Sequence, residues 1–107
     1  TILERNYTKQ GGEIDIVAKK SNSIHFIEVK AVSCENLASV THGTYSGYRP
    51  EENLSFHKFI KISKTIDLYL LENNVSDETS WQVDLATVYI NTVKKQGIVK
   101  LIENIII

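Results

Sequence analysis

The apolar pattern of the chain predicts an α/β domain, a mixed β-sheet with helical cover. Three observations carry this. Two segments before residue 33 read as strands, and one segment from Ser55 to Leu70 repeats apolar residues at spacings of three and four. Two further strand-like segments then follow. A chain of 107 residues holds one such domain, 1–107, and leaves no room for a second.

The elements follow in order. Ile2 to Tyr7 is an extended segment, and Gly11-Gly12 punctuates it. Glu13 to Ala18 alternates as a strand does. After the turn residues Lys20 to Ser23, the stretch Ser23 to Val32 is rich in Ile, Phe and Val. Residues 33–52 carry Ser, Thr, Gly, Tyr and the single proline without a clear period, so they read as a long loop, functional or mobile. Asn53 or Ser55 can cap the helix that follows. Its apolar stripe is Phe56, Phe59, Ile60, Ile62, Ile66, Tyr69 and Leu70, and Asn73-Asn74 ends it. Trp81 to Ile90 is mostly apolar, as a strand covered on both faces should be. Lys94 to Gly97 turns, and Ile98 to Ile102 returns as the last strand.

Composition excludes several classes. Hydrophobic residues make up 42% and charged residues 23%, which is the balance of a folded globular chain. The net charge of −1 means that any contact with nucleic acid must come from local patches. The apolar tail Leu101 to Ile107 is too short to span a bilayer, so no membrane partner is expected. One cysteine, Cys34, forms no internal disulfide and fits a reducing, cytoplasmic setting. With no methionine, even at position 1, the chain reads as a processed or truncated piece of something longer.

The chemistry concentrates between Gly12 and Lys30. If Ser21-Asn22 is a two-residue turn, Asp15 falls opposite Glu28 and Glu13 opposite Lys30. Strand alternation then puts these four groups on one face and Ile14, Ile16, Ile27 and Val29 on the other, as a core stripe. Opposed carboxylates repel, and a hard divalent cation relieves that repulsion while recruiting phosphate oxygens. Lys30 beside such an ion would orient or deprotonate a water, or stabilise charge developing at phosphorus. The same pattern also fits a solvated sheet face on which Glu13 and Lys30 form an ion pair.

Gly12-Glu13-Ile14-Asp15 followed by Glu28-Val29-Lys30 resembles the PD-(D/E)XK nuclease superfamily. More narrowly, the chain resembles the uncharacterised YraN-like bacterial family, which is similar to archaeal Holliday-junction resolvases. Ile2 to Tyr7, the basic stretch Lys58-Phe59-Ile60-Lys61-Ile62, Gln82 to Leu85 and Leu101 to Asn104 extend the likeness over nearly the whole chain. The resemblance implies a restriction-endonuclease-like sheet flanked by helices. It also implies an endonuclease dependent on Mg²⁺ or Mn²⁺ that hydrolyses phosphodiester bonds in DNA, branched or structured DNA included. In that scheme Asp15 and Glu28 ligate the metal, the Val29 carbonyl assists, Lys30 is the catalytic lysine and Glu13 is a flanking carboxylate. Similarity to resolvases further implies a homodimer. The family usually begins with a helix bearing another glutamate, and this chain starts after it, which puts metal affinity and the cover of one core face in question. The alternative is a non-catalytic nucleic-acid-binding or scaffold module that keeps the nuclease fold.

Other residues admit two readings each. Lys58, Lys61 and Lys64 fan over about a third of the helix circumference, either to contact phosphate or as a solvated face. Asp84 in an apolar strand needs partners and reads as a structural anchor. Tyr45, Tyr48 and Arg49 either stack on bases or pack the loop onto the domain, and packing is favoured. His25, His42 and His57 lack metal-ligand spacing, with His25 on the presumed core face. Trp81 reads as core, and Cys34 lacks a helper for nucleophilic work.

Overall fold

The structure is a computed structural model, and it describes residues 1–53 and 55–105. One five-stranded sheet runs in sequence order: β1 (Ile2–Lys9), β2 (Gly12–Lys20), β3 (Ser23–Ser33), β4 (Ser80–Asn91) and β5 (Gln96–Ile102). Neighbours pair antiparallel except β3 and β4, which are parallel. A parallel pair needs a crossover, and the helix α2 (Phe56–Glu72) supplies it. The α/β class and mixed sheet expected from the sequence are therefore present.

Local chemistry sets the ends of α2. The Ser55 hydroxyl accepts the Lys58 N–H at 3.2 Å, satisfying one of the amides a helix start leaves free. At the other end the Asn73 side chain donates to the Tyr69 carbonyl at 3.0 Å, and Asn74 turns the chain away at φ +51°. Asn53, the other cap considered, and Phe56, the first residue of the apolar stripe, have side chains outside the described part. So do Ile106 and Ile107 of the apolar tail.

The principal core lies between α2 and the sheet. Tyr7, Ile14, Val17, Ile24, Phe26 and Val83 meet Ile66 and Tyr69 from the helix. Phe26 is 1% exposed and makes edge-to-face contacts with Tyr69 and Trp81, at centroid distances of 5.5 and 5.8 Å. Trp81, expected in the core, is instead 44% exposed. It stands at the beginning of β4, where the sheet ends, and only its inner edge covers Phe26.

The hairpin register agrees with the sequence argument. Ser21 adopts φ +56° in the turn, and pairs run from Lys20–Ser23 to Ile16–Ile27. The core stripe differs from expectation. Ile14 and Val17, three residues apart, both enter the core under α2, whereas Ile16, Ile27 and Val29 are only half-buried. Strict alternation cannot bury both Ile14 and Val17 on one face, so the pleat is broken between them. On β1 the same level carries Asn6 at φ +53°, between the pairs Arg5–Ile16 and Tyr7–Ile14. In β3, Ile24, Phe26, Glu28 and Lys30 alternate onto the side that α2 covers. The acids thus sit at the end of the helix-covered face, not on a bare one.

Residues 33–52 are more structured than the sequence suggested. A short helix α1 (Leu37–Thr41) and a 3-10 turn (Pro50–Asn53) interrupt the loop. Leu37, Val40 and Tyr45 pack on Val32, Cys34 and Tyr89, and the Tyr45 and Tyr89 rings meet edge to face at 5.0 Å. The Arg49 guanidinium donates to the Tyr45 carbonyl, while Tyr48 stays exposed. Packing is therefore the role of Tyr45 and Arg49. At the far rim, β5 exposes Val99 and Leu101. Truncating Phe26→Ala should lower unfolding free energy by about 3–5 kcal/mol, through lost transfer energy and the cavity left between Tyr69 and Trp81. Urea denaturation of both proteins measures the difference.

Candidate active site

The site begins where β2 leaves β3. Their ladder ends at Ile16–Ile27, and beyond it the Asp15 carboxylate takes the place of a backbone acceptor: Oδ2 accepts the Val29 N–H at 2.8 Å. A charged acceptor makes this a strong bond. It also fixes Asp15 against the backbone that joins Glu28 to Lys30. The expected opposition of Asp15 and Glu28 is thus replaced by a side chain inserted between parting strands.

Glu28 and Lys30 stand two residues apart on one face of β3, and Lys30 Nζ lies 3.2 Å from Glu28 Oε1. This pair, and not Glu13 with Lys30, is the ion pair that forms. The second oxygen, Glu28 Oε2, is buried and has no hydrogen-bond partner. Leaving such a group unsatisfied costs about 1–3 kcal/mol, and more when it is charged. The Thr87 hydroxyl, beside Lys30 on β4, is likewise buried without a partner. Sequence reasoning missed Thr87, which gave no signal beyond being a polar residue in an apolar strand.

Glu13 is exposed and pairs through its backbone with Thr8 on β1. Its side chain lines an open groove of about 160 Å³ together with Gly12, Glu28, Lys58, Lys61 and Ile62, between the β1–β2 turn and the first turns of α2. The structure thus brings Glu13, Glu28, Lys58 and Lys61 to one groove. Asp15 and Lys30 join Glu28 through the contacts above. Lys64 lies outside this groove, one turn further along α2, and lines the adjoining depression. The donor types suit a hard cation: one buried Glu28 carboxylate oxygen without a partner, the Glu13 carboxylate at the groove wall and the Asp15 carboxylate on the Val29 N–H. These three do not converge as closely as His25, Asp84 and Glu103 do. Val29 shows its N–H in use, bound to Asp15.

A different arrangement occupies the other face of the sheet. His25 Nδ1 donates to Asp84 Oδ2 at 2.7 Å, and Asp84 Oδ1 accepts the Gln82 amide at 2.8 Å and the Asn104 N–H at 2.9 Å. Asp84 is 1% exposed yet fully partnered. The Glu103 carboxylate lies close enough that the three donor atoms are within 4.8 Å of one another. The bonds to Asn104, with Ile105 N–H to the Val83 carbonyl at 2.8 Å, pin the segment after β5 across β4. Asp84 is therefore a structural anchor, and His25 its partner, away from the α2 core.

Burial alone would raise the Asp84 pKa, but the donors from Asn104, Gln82 and His25 outweigh it and hold the carboxyl below its ordinary 3.8. A depressed folded pKa contributes stability above the unfolded value, and that stability is lost as pH falls through the folded value. Stability measured by denaturant titration should thus decline as pH falls below about 4. Asp84→Asn should be less stable at pH 7 and show a shallower acid decline.

The sheet topology, crossover helix and clustered acids define an α/β protein whose architecture is consistent with the restriction-endonuclease-like fold. The profile of the Uncharacterised protein family UPF0102 matches residues 1–88, and the chain belongs to that family. It is 39% identical over 103 residues to a UPF0102 protein of Clostridium botulinum strain Hall, covering 96% of this chain and 76% of the relative. It is 38% identical over 104 residues to one of Campylobacter jejuni, covering 97% and 75%. The family is the one the motifs pointed to, and its name assigns no activity. Among the described residues no helix is long and apolar enough to cross a membrane.

Proposed function

We propose that this protein is a divalent-metal-dependent endonuclease that hydrolyses phosphodiester bonds in DNA, structured or branched DNA included. The observation that carries the reading is the buried, unpartnered Oε2 of Glu28, whose other oxygen pairs with Lys30 and whose chain neighbour Val29 donates its N–H to Asp15. Glu13 and Glu28 at the groove repel a phosphodiester unless positive charge intervenes. Asp15 and Glu28 would hold Mg²⁺ or Mn²⁺, with Glu13 as an outer carboxylate. When bound there, the ion neutralises phosphate oxygens and acts as a Lewis acid.

The protein's own groups do the rest. Glu28 positions the Lys30 ammonium, which donates to a phosphate oxygen where negative charge grows during attack by water. A P–O bond forms to the water oxygen, which loses a proton to bulk water, as the bond to the leaving sugar oxygen breaks and that oxygen takes up a proton from bulk water. The Asp15–Val29 bond keeps the acids and the ammonium in one frame, so little reorganisation is needed. Lys58 and Lys61 at the groove wall grip backbone phosphates. Homodimerisation belongs to the same proposal, since two copies related by a twofold axis present two sites to the two strands of one substrate.

Purified protein incubated with labelled linear, flapped and four-way DNA should cleave at least one substrate with Mg²⁺ and none with EDTA. Asp15→Asn keeps an acceptor for the Val29 N–H but removes the charge. It and Lys30→Ala should each reduce cleavage on the order of 100-fold or more while far-ultraviolet circular dichroism stays unchanged. Glu28→Gln should abolish the heat of Mg²⁺ binding in calorimetry. Undiminished cleavage in the Asp15 and Lys30 variants would overturn the assignment. Absence of any Mg²⁺ binding would favour a non-catalytic binding module instead.

A further inference from the structure

Next to the groove of the acids lies a second depression, of about 250 Å³, that the proposed chemistry does not use. Its walls are Lys9 at the end of β1, Lys61 and Lys64 on α2, and its floor includes Gly11, Gly12 and Thr65. Three lysines thus line one concavity in a chain whose net charge is −1. Residue type keeps the turn close to the helix. Gly11 has φ +82°, and a Cβ on Gly12 would overlap the Thr65 hydroxyl oxygen, so a side chain fits there only if that hydroxyl or the turn moves.

The two depressions share Gly11, Gly12 and Lys61 and form one continuous track. From Lys58 to Lys64 the helix axis advances ~9 Å. That is on the order of the axial rise of two to three nucleotides of one strand. The Lys9 ammonium is paired with Glu72 at 3.2 Å, but both side chains are about half exposed. Such a surface pair contributes little and exchanges readily for a phosphate.

We infer that the depression formed by Lys9, the Gly11-Gly12 turn, Lys61 and Lys64 binds a backbone phosphate of the nucleic acid strand that, about two to three nucleotides further on, presents a phosphate to Glu28 and Lys30. This rests on the proposed nuclease reading for the identity of the strand, but its test does not require cleavage. The site sets the path of the strand, over the β1–β2 turn and along α2 to the acids.

The test is binding of a fluorescein-labelled DNA duplex in EDTA, titrated across a series of KCl concentrations. Lys9→Gln and Lys64→Gln should each weaken binding by roughly three- to tenfold at low salt and lower the slope of log K against log[salt] by about one. Lys100→Gln, on the opposite edge of the sheet, should alter neither. Slopes in both pocket variants equal to wild type would overturn the inference. Equal slopes together with saturable, Lys64-dependent heat from inorganic phosphate would also overturn it, by marking a site for free phosphate. Mg²⁺ calorimetry on the wild-type protein reports separately on the acids, so loss of the nuclease reading and loss of the phosphate track are distinguishable.

Discussion

The site depends on one hydrogen bond, from the Val29 amide to the Asp15 carboxylate. Antiparallel strands ordinarily satisfy each other's amides, and β2 and β3 do so only as far as Ile16–Ile27. Past that level a side chain supplies the acceptor. The substitution lets the strands part without orphaning the Val29 N–H, and it breaks the pleat so that Ile14 and Val17 both reach the core. The same event that lodges an acid between strands therefore also seats α2 on the sheet. Structure and candidate chemistry meet at Asp15, and only a replacement that keeps the acceptor for Val29 separates the two.

Two carboxylates in this chain show what burial does to charge. Asp84 is sealed in and has a donor for each of its oxygens, so it rests ionised as part of the framework. Glu28 is more open, yet one of its oxygens is buried and has nothing to bond. The first is a finished interaction and the second an unfinished one. That contrast, more than proximity of acids as such, separates the candidate site from the anchor, because the His25, Asp84 and Glu103 cluster is the tighter of the two but its buried carboxylate is already satisfied.

Much of this was legible in the sequence. The Ser21-Asn22 turn and the alternation of apolar residues fixed the hairpin register, because a one-residue slip reverses every side chain. The spacing of Ile62, Ile66 and Tyr69 located α2, and the polar residue in an apolar strand marked Asp84 as an anchor. The broken pleat at Asp15 was not legible: periodicity assumes an unbroken strand, so it put Ile16, Ile27 and Val29 in the core. Trp81 was misplaced because hydrophobicity says nothing about where a sheet stops. The short helix in residues 33–52 has too few turns to show a period, and it holds through Leu37 and Val40 packing on Val32 and Tyr89.

The exposed rim of β5 has its own consequence. An outer strand carrying exposed Val99 and Leu101 offers main-chain groups to any other extended polypeptide, a route to runaway self-association. Lys94, Lys95 and Lys100 crowd that rim, so chains aligning there bring like charges together. Solubility at high concentration is thereby entrusted to a few ammonium groups, and it should suffer first when salt screens them.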